Sequence, residues 1–287
     1  MLFRYNFQIS DLLFRVESSR KLEIPENFKP FVMNMPLFRD ADILLEIVFK
    51  TMRKFPDENS RELAPNVFLQ DGRIYAGSFW RDGEYIIRRE PVGRGEPCQL
   101  FIPEDFTEIF CHHGKWLNYL GLERLILPFG RMILHASAVI YQGKAYLFSA
   151  PSGEGKSTQA FLWEKYLGAK LLNGDKVVIE ITPDGAIAHG SPVAGSSGIY
   201  CNDSAPIAAV ILLKKSLRNH ISPVSERTAF LSLYSEAIKC NWDNNFNMQV
   251  LALAEQLQKK TPVYSLECLP EKSAVKCVLE KLERITP

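Results

Sequence analysis

The stretch from Lys144 to Leu167 most restricts what this chain can become. Lys144-Ala145-Tyr146-Leu147-Phe148-Ser149-Ala150 is short and almost wholly apolar, the texture of a strand covered on both faces. Pro151 interrupts it, and Ser152-Gly153-Glu154-Gly155-Lys156-Ser157-Thr158 follows at once. Two glycines one residue apart supply backbone conformations that other residues resist. From Ser157 to Leu167 the pattern reads as a helix. A buried strand, a glycine-rich turn and a helix in that order predict a sheet with helices laid on it, hence an α/β or α+β fold.

That turn carries a specific chemistry. Successive backbone N–H groups freed by glycine point into a concavity where a helix begins, and the helix N-terminus adds partial positive charge. A lysine then reaches the β- and γ-phosphates of a nucleotide, and the next hydroxyl ligates Mg²⁺. Ser152, Gly153, Glu154, Gly155, Lys156, Ser157 and Thr158 are therefore read as binding a purine nucleotide, ATP with Mg²⁺, with Ser157 as a metal ligand. The general pattern places glycine where this chain has Ala150, a conservative departure. A strand, turn and helix that merely happen to contain Gly-Lys-Ser is the plainer alternative.

Two textures divide the chain. Residues 1–128 read as a β-rich N-terminal domain ending in helices, and 129–287 as the domain holding the phosphate loop. Phe3-Tyr5-Phe7-Ile9 alternates at period two, as do parts of Ile43–Phe49 and Tyr85–Arg89. Asp71-Gly72 and Asp82-Gly83 read as tight turns, the second inside a hairpin over Phe79–Tyr85. Glu104 to Leu127 has helical spacing, broken at Gly114, and Pro128-Phe129-Gly130 punctuates. Met132 to Tyr141 then reads as a strand turned at Gln142-Gly143. Leu171 to Asp175 begins another, Ala208 to Leu213 is a later one, and Val275, Val278, Leu279, Leu282 and Ile285 share one helical face.

Composition excludes several partner classes. Thirty-four basic against thirty-three acidic side chains leave a net charge of +1, so no global field draws the chain to nucleic acid or an anionic membrane, and neither is expected as a partner. Six scattered cysteines without a CxxC pair read as reduced, mostly buried thiols. The first residues alternate and carry charge, unlike a signal peptide, and no apolar run reaches the ~20 residues of a membrane helix. The expected location is cytoplasmic.

Several motifs together resemble a known family. Leu134-His135-Ala136-Ser137, two strands, Ala150-Pro151-Ser152-Gly153-Glu154-Gly155-Lys156-Ser157-Thr158 and then Asn173-Gly174-Asp175-Lys176 are similar to the catalytic domain of HPr kinase/phosphorylase, itself similar to the core of ATP-dependent phosphoenolpyruvate carboxykinase. His135 lies twenty-one residues before Lys156, as in that family. Gly190-Ser191-Pro192-Val193-Ala194-Gly195-Ser196-Ser197-Gly198 looks like the corresponding tract of HPr-kinase-like proteins found beside bacterial peptide-modification genes, some of which phosphorylate a serine of a ribosomal peptide. The resemblance covers about 132–287.

The resemblance implies a phosphotransferase. Lys156 and Ser157 would serve ATP and Mg²⁺, and His135 would lie near the transferred phosphate. The family carries two aspartates after the next strand, the first as general base and the second near the metal. Here Gly174 aligns with the first and Asp175 with the second, so Asp175 or His135 would receive the acceptor's proton and Asp175 would also hold Mg²⁺. The Glu-Arg-Gly loop of true HPr kinases is absent, which argues against HPr as the substrate. The implied acceptor is a hydroxyl on a peptide, protein or small molecule. The similar kinases assemble into rings, so a homo-oligomer is one possible assembly.

Other readings stay open at this level. A nucleotide-binding module with weak or no transfer activity, regulating or scaffolding a partner, is favoured by Gly174 and Ala150. A carboxykinase lacks its array of metal and oxaloacetate ligands, and a transport ATPase lacks its signature motif. Taken alone, His135 amid Leu134, Ala136 and Val139 reads more readily as a satisfied core histidine, and only its register to Lys156 brings the two readings level. Gly190–Gly198 is either a clamp of serine hydroxyls and amides or an ordinary surface loop. His189 reads as a surface histidine, His112 and His113 as a poor metal pair, and Lys214, Lys215 and Arg218 as a solvated strand end.

Overall fold

The computed structural model describes residues 1–33, 39–52, 56–81, 84–107, 111 and 119–283. These form two compact units, Met1–Leu125 and Ile126–Pro287. Each is built around a large mixed sheet, so the chain combines α and β structure.

The first unit contains β1 (Phe3–Ile9), β2 (Leu12–Ser18), β3 (Ile43–Phe49), β4 (Arg61–Ala64), β5 (Val67–Gln70), β6 (Arg73–Arg81), β7 (Glu84–Arg89) and β8 (Cys98–Ile102). Their order in the sheet is β1-β2-β3-β8-β7-β6-β5-β4, parallel at β2–β3 and β3–β8 and antiparallel elsewhere. Burial follows period two: Ile43, Leu45 and Ile47 in β3, and Cys98, Leu100 and Ile102 in β8, all face the core. Phe28 and Phe31 from a short 3₁₀ turn (Glu26–Phe31) pack there, Phe28 meeting Phe7 edge-on at 5.4 Å. Asp71 and Gly72 both take positive φ between β5 and β6, the geometry of a two-residue hairpin. Ser10 and Asp11 do the same between β1 and β2, a turn with none of the usual asparagine-glycine chemistry. Of the helical run expected over Glu104–Leu127, a 3₁₀ turn (Glu104–Phe106) and α1 (Leu122–Ile126) are observed. The expected break at Gly114, the turn at Asp82-Gly83 and the pair His112 and His113 lie outside the described residues.

The second unit contains β9 (Arg131–Tyr141), β10 (Lys144–Ser149), α2 (Lys156–Leu167), β11 (Lys170–Asn173), β12 (Lys176–Thr182), β13 (Gly185–His189), β14 (Ser204–Lys215), β15 (His220–Pro223), α3 (Glu226–Glu236), α4 (Asn244–Lys260), β16 (Val263–Cys268) and α5 (Lys272–Glu283). Two long strands, β9 and β14, each serve three neighbours, β9 also pairing with β11. The first half of β9 pairs with β12 and its second half with β10, turned back at Gln142-Gly143. β14 pairs first with β13, then in parallel with β10 and β16. β10 is therefore enclosed on both edges by β9 and β14.

It is also covered on both faces. Ala145 and Leu147 join a core with Leu233 of α3 and Val250 and Leu257 of α4. Tyr146 and Phe148 join a second core with Trp163 of α2 and Val275 and Val278 of α5. Trp163 is fully buried, its ring 4.7 Å from that of Tyr146 and 5.6 Å from that of Phe148. The apolar run seen in the sequence is thus the middle of a three-layer arrangement. The strand expected from Leu171 to Asp175 stops at Asn173 instead, and Gly174-Asp175 forms the connection into β12. Among the described residues no helix is long and apolar enough to cross a membrane.

Candidate functional site

The loop after β10 turns on two left-handed glycines, Gly153 (φ 82°) and Gly155 (φ 98°). Gly155 caps α2 without any side-chain hydrogen bond to the helix start. First-turn N–H groups of a helix have no partner inside the helix, so this end is open to an anion. Lys156 curls back over the loop, its Nζ donating to the carbonyls of Ala150 at 2.8 Å and Pro151 at 3.2 Å. Only 7% of Lys156 is exposed. Burial pulls its ammonium below the ordinary lysine range, opposed by the charges of Glu236, Asp175 and Glu154.

Across from the loop lies the connection Gly174-Asp175. Buried Asn173 shapes it: its Oδ1 accepts from the N–H of Asp175 at 2.9 Å and of Lys176 at 2.7 Å. Its Nδ2 donates to the carbonyls of Ser191 at 3.0 Å and Val193 at 3.2 Å. Ser191, fully buried, donates to the Lys176 carbonyl at 2.6 Å. The tract Gly190–Gly198 is therefore strapped onto the Asp175 turn at its first half, while Ser196 and Ser197 reach the cleft. An ordinary surface loop would not bury Ser191. His189, expected at the surface, is instead 3% exposed, with Nε2 2.9 Å from Oε2 of Glu180 inside the sheet.

His135 sits on β9 opposite Lys176 and is held at both ring nitrogens. Nε2 is 3.2 Å from Oδ1 of Asp175, and Nδ1 is 3.0 Å from Oε2 of Glu236. The ring is partly accessible, with 28% of its side chain exposed, so it is a wall of the site rather than a core residue. Two residues along β9, buried Ser137 donates to the Gly174 carbonyl at 2.9 Å and lies 3.5 Å from the Ser157 hydroxyl. One strand thus ties the helix start to the Asp175 turn.

One cleft of about 270 Å³ collects these groups: His135, Ser152, Gly153, Gly155, Lys156, Ser157, Thr158, Gly174, Asp175, Ser196 and Ser197. Every residue expected at the site lines it except Glu154, which faces a larger neighbouring cavity and lies 3.7 Å from Lys215. Lys214 and Lys215, read as a solvated strand end, line that cavity too, while Arg218 is exposed beside Glu267. Sequence reasoning missed Glu236, Asn173, Ser137 and Ser191. Ser137, Asn173 and Ser191 stand inside the tracts that carry the resemblance, but each of the four bonds a partner distant in the chain that no local stretch announces.

Gly174 is closely packed. A Cβ there would come within 1.8 Å of the Ser197 hydroxyl and 3.1 Å of the Ile199 Cβ. Gly195 presses equally on Asp175, where an added Cβ would fall 2.7 Å from the aspartate Cβ. The strap and the Asp175 turn thus touch through two glycines, and Ser197 fills the space that a larger residue at 174 would need.

In oxygen donors the cleft offers the Ser157 hydroxyl and the Asp175 carboxylate, a hard set that suits Mg²⁺. In cationic groups it offers Lys156 and the start of α2. This combination can neutralise a chain of phosphates and hold their counter-ion. No family model matches the chain, and no curated protein matches it. Among solved structures it is similar to the Hpr(Ser) kinase/phosphatase from Coxiella burnetii, at 12% identity over 53% of this chain and 93% of that chain, with a TM-score of 0.30.

Proposed function

We propose that the second unit is an ATP- and Mg²⁺-dependent phosphotransferase acting on a hydroxyl of a peptide, protein or small molecule. The observation that carries this reading is the meeting of Lys156, Ser157, Asp175 and His135 around one cleft at an uncapped helix start. Phosphoryl transfer asks little covalent chemistry of a protein; alignment and charge neutralisation do most of it. Lys156 and the loop amides would bind the β- and γ-phosphates. Ser157 and Asp175 would hold Mg²⁺, which when bound supplies further neutralisation of phosphate charge. Ser137 positions Ser157 and the Gly174 carbonyl, and Asn173 positions Asp175. His135, fixed by Glu236, faces the same space and would orient the acceptor or receive its proton. The sequence resemblance of residues 132–287 to the HPr kinase catalytic domain supports the same reading.

A second reading, a nucleotide-binding module with weak or no transfer, is favoured by one observation. Ser197 occupies the space beside Gly174, so no carboxylate stands there. Losing one well-placed base costs about 10²–10⁴ in rate. γ-Labelled ATP with candidate acceptors separates the two: label that stays on ATP despite tight binding supports the module.

Lys156→Ala tests the site itself. A ligand present at 100 times its Kd stabilises a protein by about 2.7 kcal/mol. Wild type should gain that with saturating Mg·ATP, and the variant should lose the gain while melting normally without nucleotide. An unchanged nucleotide-dependent melting shift would overturn the assignment.

A further inference from the structure

The cleft has a larger neighbour. A cavity of about 690 Å³ opens on the far side of the loop, at the carboxyl ends of β10 and β14. Crevices outside the carboxyl ends of strands are where sheets of this kind take ligands. Ala150 and Pro151 form its edge toward the loop, and α3 contributes Ser232, Ser235 and Glu236. Leu212, Leu213 and Leu231 make its surface mainly apolar. Its charged members are Glu154 and Glu236 against Lys214 and Lys215, two of each sign, with Lys215 and Glu154 3.7 Å apart, so they offset one another.

Two contacts fix how cleft and cavity relate. The Lys156 ammonium lies on the carbonyls of Ala150 and Pro151, both cavity residues. In a loop of this kind the lysine tip marks the β- and γ-phosphate end, and the nucleoside leaves from the other end. The second contact is the hydrogen bond between His135, which lines the cleft, and Glu236, which lines the cavity. A single side-chain pair is therefore shared by the two spaces at the γ-phosphate end.

Resting on the kinase reading above, we infer that this cavity is the acceptor chamber and takes an uncharged, hydroxyl-bearing group with an apolar body. The apolar surface binds that body, and Ser232 and Ser235 offer hydrogen bonds to its polar edge. The hydroxyl meets the phosphate at the His135–Glu236 pair. In the transfer, the acceptor oxygen forms a new bond to the γ-phosphorus as the bond to the β–γ bridging oxygen breaks. That electron pair stays on the bridging oxygen, leaving ADP, and the hydroxyl proton is released to solvent.

The test compares inorganic tripolyphosphate with ATP, both with Mg²⁺, on the full chain and on Ser232→Trp. Ser235→Trp, at an exposed position, serves as a second variant. Tripolyphosphate reports the cleft alone, and ATP adds the nucleoside. Release of labelled γ-phosphate to water and to N-acetyl-phenylalanyl-serine amide, an uncharged hydroxyl beside an apolar ring, reports transfer. Both melting shifts should match wild type in both variants, while transfer falls at least about tenfold, because the acceptor loses its in-line place. A variant that keeps the tripolyphosphate shift but loses the ATP shift would show the cavity housing the nucleoside, and would overturn the inference. So would transfer at wild-type rates in both variants. A wild-type protein that binds Mg·ATP yet releases no γ-phosphate overturns it too, and leaves nucleotide binding standing. If tripolyphosphate fails to shift even wild type, the phosphate reading of the cleft falls, and the chamber with it.

Discussion

The two walls of the cleft are built by opposite means. The loop wall, Ser152 to Thr158, owes its shape to backbone: two left-handed glycines and the bare end of α2. The facing wall owes its shape to side chains, with buried Asn173 and Ser191 joining the Asp175 turn to the strap that follows β13. Hydrogen bonds between buried polar groups are costly to leave half made, whereas a glycine turn depends only on what its own backbone can adopt. The loop wall should therefore tolerate side-chain exchange wherever a Cβ already exists. The strap wall should hinge on single buried atoms.

Asn173→Ala gives the largest expected effect. It removes one acceptor and two donors at once, leaving the N–H groups of Asp175 and Lys176 and the carbonyls of Ser191 and Val193 without their partner. At ~1–3 kcal/mol for each of these four groups left unpaired, a loss of at least roughly 4 kcal/mol in urea unfolding is expected. A loss below ~1 kcal/mol, inside the range of ordinary surface changes, would mean that the strap is held by something else.

Gly174→Ala comes next, because its Cβ would drive into Ser197. Overpacking of this kind costs about 1–3 kcal/mol. Adding Ser197→Gly should return much of that, with a coupling of about 0.5–3 kcal/mol in the double-mutant cycle. Strict additivity of the two changes would show that the contact carries no energy.

Gly155→Ala is the smaller effect and belongs to the other wall. No heavy atom crowds that position closer than 4.0 Å, so the change reports left-handed backbone strain alone, about 1–2 kcal/mol. Ser152→Ala, in the same loop, should stay within about 0.5 kcal/mol of wild type. Equal effects at the two positions, read by thermal unfolding, would erase the distinction between the walls.

What could be read from the sequence follows the same division. The loop was legible because its signal is local: apolar run, two glycines, lysine, hydroxyl and helix stand in one continuous stretch. His135 and Asp175 were found through spacing to that stretch and through resemblance. Asn173 and Ser191 stand eighteen residues apart, and Glu236 meets His135 across 101 residues, so no window of sequence contains both partners. His189 reads as a surface residue for a related reason: its Glu180 partner belongs to the neighbouring strand of the sheet. Glu154 reads with its neighbours in the loop, but the turn at Gly153 and Gly155 sends it to the other cavity. In the first unit, alternation announced β1 and β3. The turn at Ser10-Asp11 carried no signal, since its positive φ values fall on two residues that seldom require them.

β10 also acts as a ruler. Its small aliphatic side chains, Ala145 and Leu147, belong to one layer and its rings, Tyr146 and Phe148, to the other. Shifting the strand by one residue would drive two rings into space sized for an alanine and a leucine, and strip Trp163 of its neighbours. The point where the chain leaves the sheet is thereby indexed to a single position. An insertion at the Gln142-Gly143 hairpin leaves that index alone. One inside β10 would move every amide of the Ser152–Thr158 loop by a full step.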